Sequence, residues 1–229
     1  MPAYDLAEKP VRALNQALHL LKPDTNERLW TIENPDGAHA IAVGLDAPIS
    51  VEVEGNVGYY CGGMNKQASV TIRGNAGVGV AENMISGFVH VTGDASAAAG
   101  ATAWGGVLRI DGNASSRCGI SMKGIEIVVG GSVGHMSAFM AQAGRLVVFG
   151  DAGEALGDSL YEARLFVRGA VRSLGADCIE KPMRDEHRAE LHDLFGRAGL
   201  QGDIDPSEFR RYGSARKLYH FHVDNAGEY

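Results

Sequence analysis

Cysteine is scarce in this chain: there are three, an odd number, and none forms a C-x-x-C pair. That leaves no disulfide framework and no ligand spacing for an iron–sulfur cluster, and it fits a reducing compartment. Cations are outnumbered, 21 lysines and arginines against 28 carboxylates, for a formal charge of −7. A dedicated nucleic-acid binder would want a basic face, so that class is set aside. No apolar run is long enough to span a bilayer, and Met1–Leu20 lacks a signal-peptide pattern. The chain therefore reads as a soluble, cytoplasmic protein with no membrane and no nucleic-acid partner. Aromatics are also sparse, at 7%.

Glycine is abundant instead, with 31 in 229 residues, roughly twice the usual share. There is neither a G-X-Y period nor a Ser/Pro-rich tract, which removes collagen and low complexity and leaves repeated tight turns. The repeat is plain once a glycine is taken as anchor: Gly55, Gly74, Gly93, Gly112, Gly131, Gly150 and Gly169 follow one another at intervals of 19. Four residues before each anchor stand Val51, Val70, Val89, Leu108, Ile127, Leu146 and Leu165. Two before it stand Val53, Ile72, Val91, Ile110, Val129, Val148 and Val167, so every member of both columns is aliphatic. Alternation of this kind marks half-buried strands. Strands that return in the same phase and direction every 19 residues are rungs of a parallel coil.

The predicted fold is all-β: a right-handed parallel β-helix of about seven 19-residue coils, with N-terminal and C-terminal helical caps. Seven rungs give a cylinder about 30 Å long. The anchor glycines are expected to turn a corner of the coil at positive φ. The position after the anchor reads Asn56, Asn75, Asp94, Asn113, Ser132, Asp151 and Ala170, short polar side chains in all but the last rung. Only small residues stand three after the anchor until Arg172, and seven after it throughout. Regular coiling is expected to fail near Ser173. Cys61 and Cys118 share a column three rungs apart, about 14 Å, too far for a disulfide.

Three segments follow: a cap over residues 1–48, the coil over 49–175, and C-terminal helices with a tail over 176–229. In the first, a helix is expected within YDLAEKPVRALNQALHLL, capped by Asp5 and Glu8, with Leu14, Leu18 and Leu21 inward. A turn at Asn34–Gly37 and a strand at His39–Leu45 come next. In the last, Lys181–Leu200 reads as a helix with Leu191, Leu194 and Phe195 inward. Asp205–Glu208 starts a short helix with Pro206 at its first position, and Lys217–Val223 is an extended tail. Open ends of a β-helix invite aggregation, so these segments are caps first.

No catalytic, cofactor-binding or metal-binding residue emerges. GNAGVG at Gly74–Gly79 is neither a dinucleotide fingerprint nor a P-loop, but one of seven equivalent corners. His220 and His222 alternate on one side of a strand without a third ligand. His187 and His192 are five apart on a helix and read as solvated surface. His90 and His135 fall in different columns. One surface column is informative. Three before each anchor the chain reads Glu52, Thr71, His90, Arg109, then Val128, Val147 and Phe166. An apolar strip of this kind is a contact surface. Either the chain's own C-terminal helix covers it, or a partner subunit docks there. In the second case Val147→Asp breaks a complex and leaves the isolated chain folded.

Aliphatic doublets followed by G-[ND]-[AV]-[GS] occur in VTIRGNAGVGVAENMISG, LRIDGNASSRCGISMKG and IEIVVGGSVGHMSAFMAQAG. They resemble the GXGXG domain at the C-terminus of the glutamate synthase large subunit, a domain that formylmethanofuran dehydrogenase also carries in one of its subunits. Here the domain stands nearly alone. Together with EKPMRDEHRAELHDLFGRAGL and RKLYHFHVDNAGEY it is similar to the stand-alone GXGXG-domain subunits of N-methylglutamate synthase (methylamine–glutamate N-methyltransferase). The resemblance implies a β-helix without catalytic residues that orients an amidotransferase-like subunit and an FMN-dependent glutamate-synthase-like subunit. FMN and an iron–sulfur cluster would belong to the latter partner. Two other classes fit less well. A β-helix polysaccharide enzyme would carry long loops and a charged groove. A left-handed hexapeptide acyltransferase would repeat an aliphatic residue every six positions, not every 19.

Overall fold

The computed structural model describes residues 3–200, 202 and 204–217. In chain order its elements are β1 (Ala3–Asp5), α1 (Val11–His19), β2 (Leu29–Glu33), β3 (Ser50–Val53), β4 (Ser69–Ile72) and β5 (Phe88–Val91). Then come β6 (Val107–Ile110), β7 (Lys123–Val129), β8 (Ala143–Val148), β9 (Arg164–Val167), β10 (Cys178–Lys181), α2 (Asp185–Arg197), a 3-10 turn (Pro206–Glu208) and β11 (Arg210–Ser214). The protein is all-β apart from its two helices. One eleven-stranded sheet runs in the order β1 to β9, then β11 and β10. From β3 to β9 the rungs pair in parallel with the residue 19 positions on, as in Val51↔Val70, Ile72↔Val91 and Leu146↔Leu165, apart from Lys123↔Ala143 at a register shift in β7. The aliphatic residues four and two before each anchor are buried along the axis, forming one continuous core. Burial of each such side chain contributes on the order of 1.5–3 kcal/mol, which makes these columns the main source of stability. A second line of parallel bridges joins Val57, Ala76, Ala95, Ala114, Val133, Ala152 and Val171.

Glycine at the anchor is required for a different reason from the one expected. Among the anchors only Gly55 has positive φ, at 134°. At Gly74 an added Cβ would stand 2.7 Å from the carbonyl carbon of Gly55 and 2.8 Å from Asn56 Oδ1. Close stacking of successive rungs excludes a side chain there. The left-handed residues come later in each rung, as at Gly62 (φ 65°), Ala81 (φ 57°) and Gly100 (φ 68°).

The polar column beside the anchors is a ladder between rungs. Asn56 Oδ1 accepts from Asn75 N at 2.8 Å, Asn75 Oδ1 from Asp94 N at 2.8 Å, and Asp94 Oδ1 from Asn113 N at 2.7 Å. Asn113 Oδ1, Ser132 Oγ and Asp151 Oδ1 continue it to Ser132, Asp151 and Ala170. Each rung needs a short side chain with an acceptor oxygen for the next rung. Ala170 ends the column because no further rung stacks on it.

At the N-terminal end three expectations change. The helix begins at Val11 after Pro10, and Asp5 instead heads a separate turn, accepting from Ala7 N at 2.8 Å. Pro10 disfavours helix at Lys9, so the two segments do not merge. Leu14 and Leu18 are buried and Leu21 packs against the core, as expected. The Asn34–Gly37 turn is present, closed by Ala38 N to Pro35 O at 2.7 Å. No strand forms over 39–45. That stretch is a bent rung segment, with Ala40 N bonded to Tyr59 O at 2.7 Å. The strand lies earlier, in β2, which pairs with β3 at an offset of 21 (Trp30↔Val51, Ile32↔Val53). Parallel pairing thus starts upstream of residue 49. The two-residue insertion, with Asn34 in place of an anchor glycine, hides this rung from a strict 19-residue count.

Regular coiling ends where expected. Ala152 pairs with Val171, but Leu156 pairs with Leu174, one residue short of the period. The open edge of β9 is covered by β11, running antiparallel, with β10 outside it. Pro182 ends β10, and α2 starts at Asp185 rather than Lys181. The 3-10 turn is capped by Asp205, which accepts from Ser207 N. The tail beyond Lys217, with His220 and His222, lies outside the described residues.

Candidate functional site

Within the described residues, the glycine corner, the cysteines, His90 and His187 are each engaged by the fold. In GNAGVG, four backbone donors are already used. Asn75 N donates to Asn56 Oδ1, Ala76 N to Asp94 O at 2.9 Å, Gly77 N to Val57 O at 2.9 Å and Gly79 N to Ala97 O at 3.0 Å. A phosphate cradle needs such groups free. Cys61, Cys118 and Cys178 are buried free thiols. Burial pushes Cys61 and Cys118 up to about 12; at Cys178 burial, with Asp177 and Asp158, has the same effect. These are core fillers, not nucleophiles. His90 Nε2 meets Asp111 Oδ2 at 2.8 Å. His187 is not solvated surface: it is buried, and its Nδ1 accepts from Arg184 N at 3.1 Å, closing the first turn of α2. Among the described residues no group of three or more His, Cys, Asp or Glu is placed to hold a metal ion. No helix described is long and apolar enough to cross a membrane.

The strip Val128, Val147 and Phe166 is not a free docking surface. The chain's own α2 lies over it: the three side chains are buried in a second core with Leu191, Leu194, Phe195, Ala198 and Phe209. Phe149 packs at its margin against Phe195 and Phe209, the Phe149–Phe209 rings edge-on at 5.1 Å. The extent of the strip follows from the helix length. Thirteen residues at about 1.5 Å each span about 20 Å, or four rungs. Arg109, the last polar residue of the column, meets the end of α2: its Nη1 donates to Ala198 O at 3.2 Å and Gly199 O at 2.9 Å. A guanidinium at the C-terminus of a helix compensates its unsatisfied carbonyls. The switch from polar to apolar in this column thus marks the footprint of α2.

A second column carries the same message. Five residues before each anchor the chain reads Ser50, Ser69, Phe88, Val107, then Glu126, Arg145 and Arg164. Glu126 pairs with Arg145 at 3.0 Å and with Arg197 of α2, and Arg164 pairs with Glu190 of α2. Charge appears there on the same rung as the apolar strip, flanking the helix.

The surface left open lies on other columns. Trp104 is 60% exposed and Ile85, one rung before it, 44%. Lys123, one rung later in the same column, holds its ammonium 4.5 Å from the Trp104 ring centroid. Tyr59 and Val78 form a second exposed pair 19 apart. The Ile85–Trp104 column is the candidate functional site, since exposed apolar side chains stacked on successive rungs suit contact with another surface. Reading the columns for exposure as well as for repeat would have found it, since Ile85 and Trp104 are large apolar residues where neighbouring rungs carry Lys66 and Lys123.

Over all 229 residues the chain is 61% identical to protein GlxC of Rhizobium meliloti (strain 1021), covering 100% of each. The chain belongs to the GlxC family. Because the match is end to end, the caps as well as the coil fall within the likeness to GlxC. No protein-family model matches the chain. No solved structure matches it either.

Proposed function

We propose that this member of the GlxC family is a glutamate-synthase-related protein acting as a non-catalytic structural subunit. In this reading it orients an amidotransferase-like subunit and an FMN- and iron–sulfur-dependent synthase subunit of a cytoplasmic complex of the N-methylglutamate synthase type. The observation that carries the reading is where the polar groups go. The corner amides and ladder side chains bond rung to rung, so the glycine corners hold no ligand chemistry, while Ile85 and Trp104 stay exposed in one column. A coil whose hydrogen bonds serve its own stacking is a rigid spacer with side faces for contact. Its resemblance to the GXGXG domain supports the same role, since that domain implies no active site of its own. The test is purification of the tagged chain from its native host, with the bound polypeptides identified by mass spectrometry. Recovery of a flavoprotein and an amidotransferase-like chain supports the proposal, and recovery of the chain alone defeats it. The identity of the partners also separates an N-methylglutamate synthase from an ordinary glutamate synthase or a formylmethanofuran-dehydrogenase-like assembly.

A further inference from the structure

At the C-terminal end of the coil, β9, β10, β11 and the start of α2 enclose a concavity of about 420 Å³. Its charged lining is Arg164, Lys181, Arg184, Arg211, Arg216 and a single carboxylate, Glu162. Five cations face one anion there, on a chain whose net formal charge is −7. Some of this charge is compensated locally. Glu162 pairs with Arg216 at 3.0 Å, Glu190 with Arg164, and Glu186 stands 3.6 Å from Arg184. Arg211 and Lys181 have no carboxylate within ion-pairing distance among the described residues; the Arg211 side chain makes one bond, Nε to Pro182 O at 3.1 Å. Crowding is felt by the neighbours too. Burial, then Arg164 and Arg184, hold the Arg211 guanidinium below its usual pKa, and burial with Arg211 lowers His187.

A structural role does not require this arrangement. The fold needs Arg164 to meet Glu190, but gathering Lys181 and Arg211 beside it adds repulsion that the nearby Glu186 and Glu190 offset only in part, since the Arg211 guanidinium still lies below its usual pKa. We propose that the cavity is a binding site for a small multivalent oxyanion, a metabolite carrying two or more carboxylate or phosphate groups. Arg211 supplies a planar fork suited to one acid group and Lys181 a point charge for another. The volume lies in the range of small-molecule sites and exceeds what a single phosphate fills. This inference does not rest on the scaffold reading: a structural subunit with such a site would report a metabolite level to its complex, and a solitary protein would bind the same anion.

The test is calorimetric titration and thermal unfolding of the full-length chain with citrate and with pyrophosphate, at constant ionic strength against sodium chloride. Saturable one-to-one binding of either probe is expected. Lys181→Gln and Arg211→Gln should each weaken it by about tenfold or more, the effect of one lost charge-assisted hydrogen bond. Arg12→Gln, a surface charge at the opposite end, should leave it unchanged. The Lys181 side chain makes no hydrogen bond or ion pair with the described residues, so its variant keeps the test valid if Arg211→Gln fails to fold. No saturable binding, equal weakening by Arg12→Gln, or binding of an acidic peptide without either small anion would each overturn the proposal.

Discussion

Replacing Gly74 by alanine tests why the anchors are glycine. Its φ is not in the left-handed region, so an explanation based on corner conformation predicts almost no effect. Stacking predicts a large one. The new methyl would lie 2.7 Å from the Gly55 carbonyl carbon and 2.8 Å from both the Gly55 oxygen and Asn56 Oδ1. Backbone on the neighbouring rung cannot swing aside as a flexible side chain does, so the rungs must part at this corner. Three bonds hold them together: Asn75 N to Asn56 Oδ1 at 2.8 Å, Val57 N to Asn75 O at 2.9 Å and Arg73 N to Val53 O at 2.9 Å. At about 0.5–1.5 kcal/mol each, their loss destabilises by about 1.5–4.5 kcal/mol. Gly62 is the internal control. It is left-handed (φ 65°), but an added Cβ would lie 3.3 Å from Val89 Cγ2, and Ala81 and Ala138 occupy the equivalent position in other rungs. Gly62→Ala should cost about 1 kcal/mol, the ordinary left-handed penalty. Urea unfolding followed by far-ultraviolet circular dichroism gives both values. If Gly62→Ala proves the more damaging of the two, the stacking argument is wrong.

Other outcomes follow from the same structure. Val147→Asp, which places a carboxylate in the fully buried second core, should detach α2 and destabilise the isolated chain by several kcal/mol, read by amide exchange along Asp185–Arg197; a stable variant would mean α2 does not hold this strip. Arg109→Ala should raise exchange near Ala198 and Gly199 and cost about 1–3 kcal/mol, whereas unchanged exchange would show that the guanidinium does not cap the helix. Cys61 and Cys118 should resist thiol reagents at pH 8 until the protein unfolds. Their folded pKa is raised from 9.0 to about 12, so their contribution to stability is complete below pH 9 and is lost as pH rises towards 12; a urea midpoint flat across that window would contradict this. Trp104→Ala should leave the unfolding midpoint within about 0.5 kcal/mol of the parent while reducing recovery of partner chains, and unchanged recovery would remove Trp104 from the interaction face.

The periodic part of the fold was legible because its physics is periodic. A rung that repeats every 19 residues imposes the same burial on each column, so aliphatic doublets and small residues recur without insertion. What broke the period was harder to read. The β2 rung escaped because Asn34 takes the anchor's place and two extra residues shift the count, though Trp30 and Ile32 carry the same inward pattern. Strands β10 and β11 are held by antiparallel pairing over β9, and neither Cys178–Lys181 nor Arg210–Ser214 announces itself by alternation. The strip was visible as apolar, but its occupant was decided by the neighbouring charges Glu126, Arg145 and Arg164, which only the position of α2 makes meaningful. The anchor columns show in the sequence that a side chain is excluded, but not that the neighbouring rung, rather than the corner's conformation, excludes it.

A scaffold that holds two other subunits in place should be indispensable to their assembly. Mixing the purified amidotransferase-like and flavin-dependent subunits with and without this chain, and measuring mass by analytical ultracentrifugation, tests that role most directly. One sedimenting complex of all three chains is predicted, and it should not form when this chain is omitted. Association of the other two without it, or a chain that sediments alone at its own 24.2 kDa, would contradict the scaffold role.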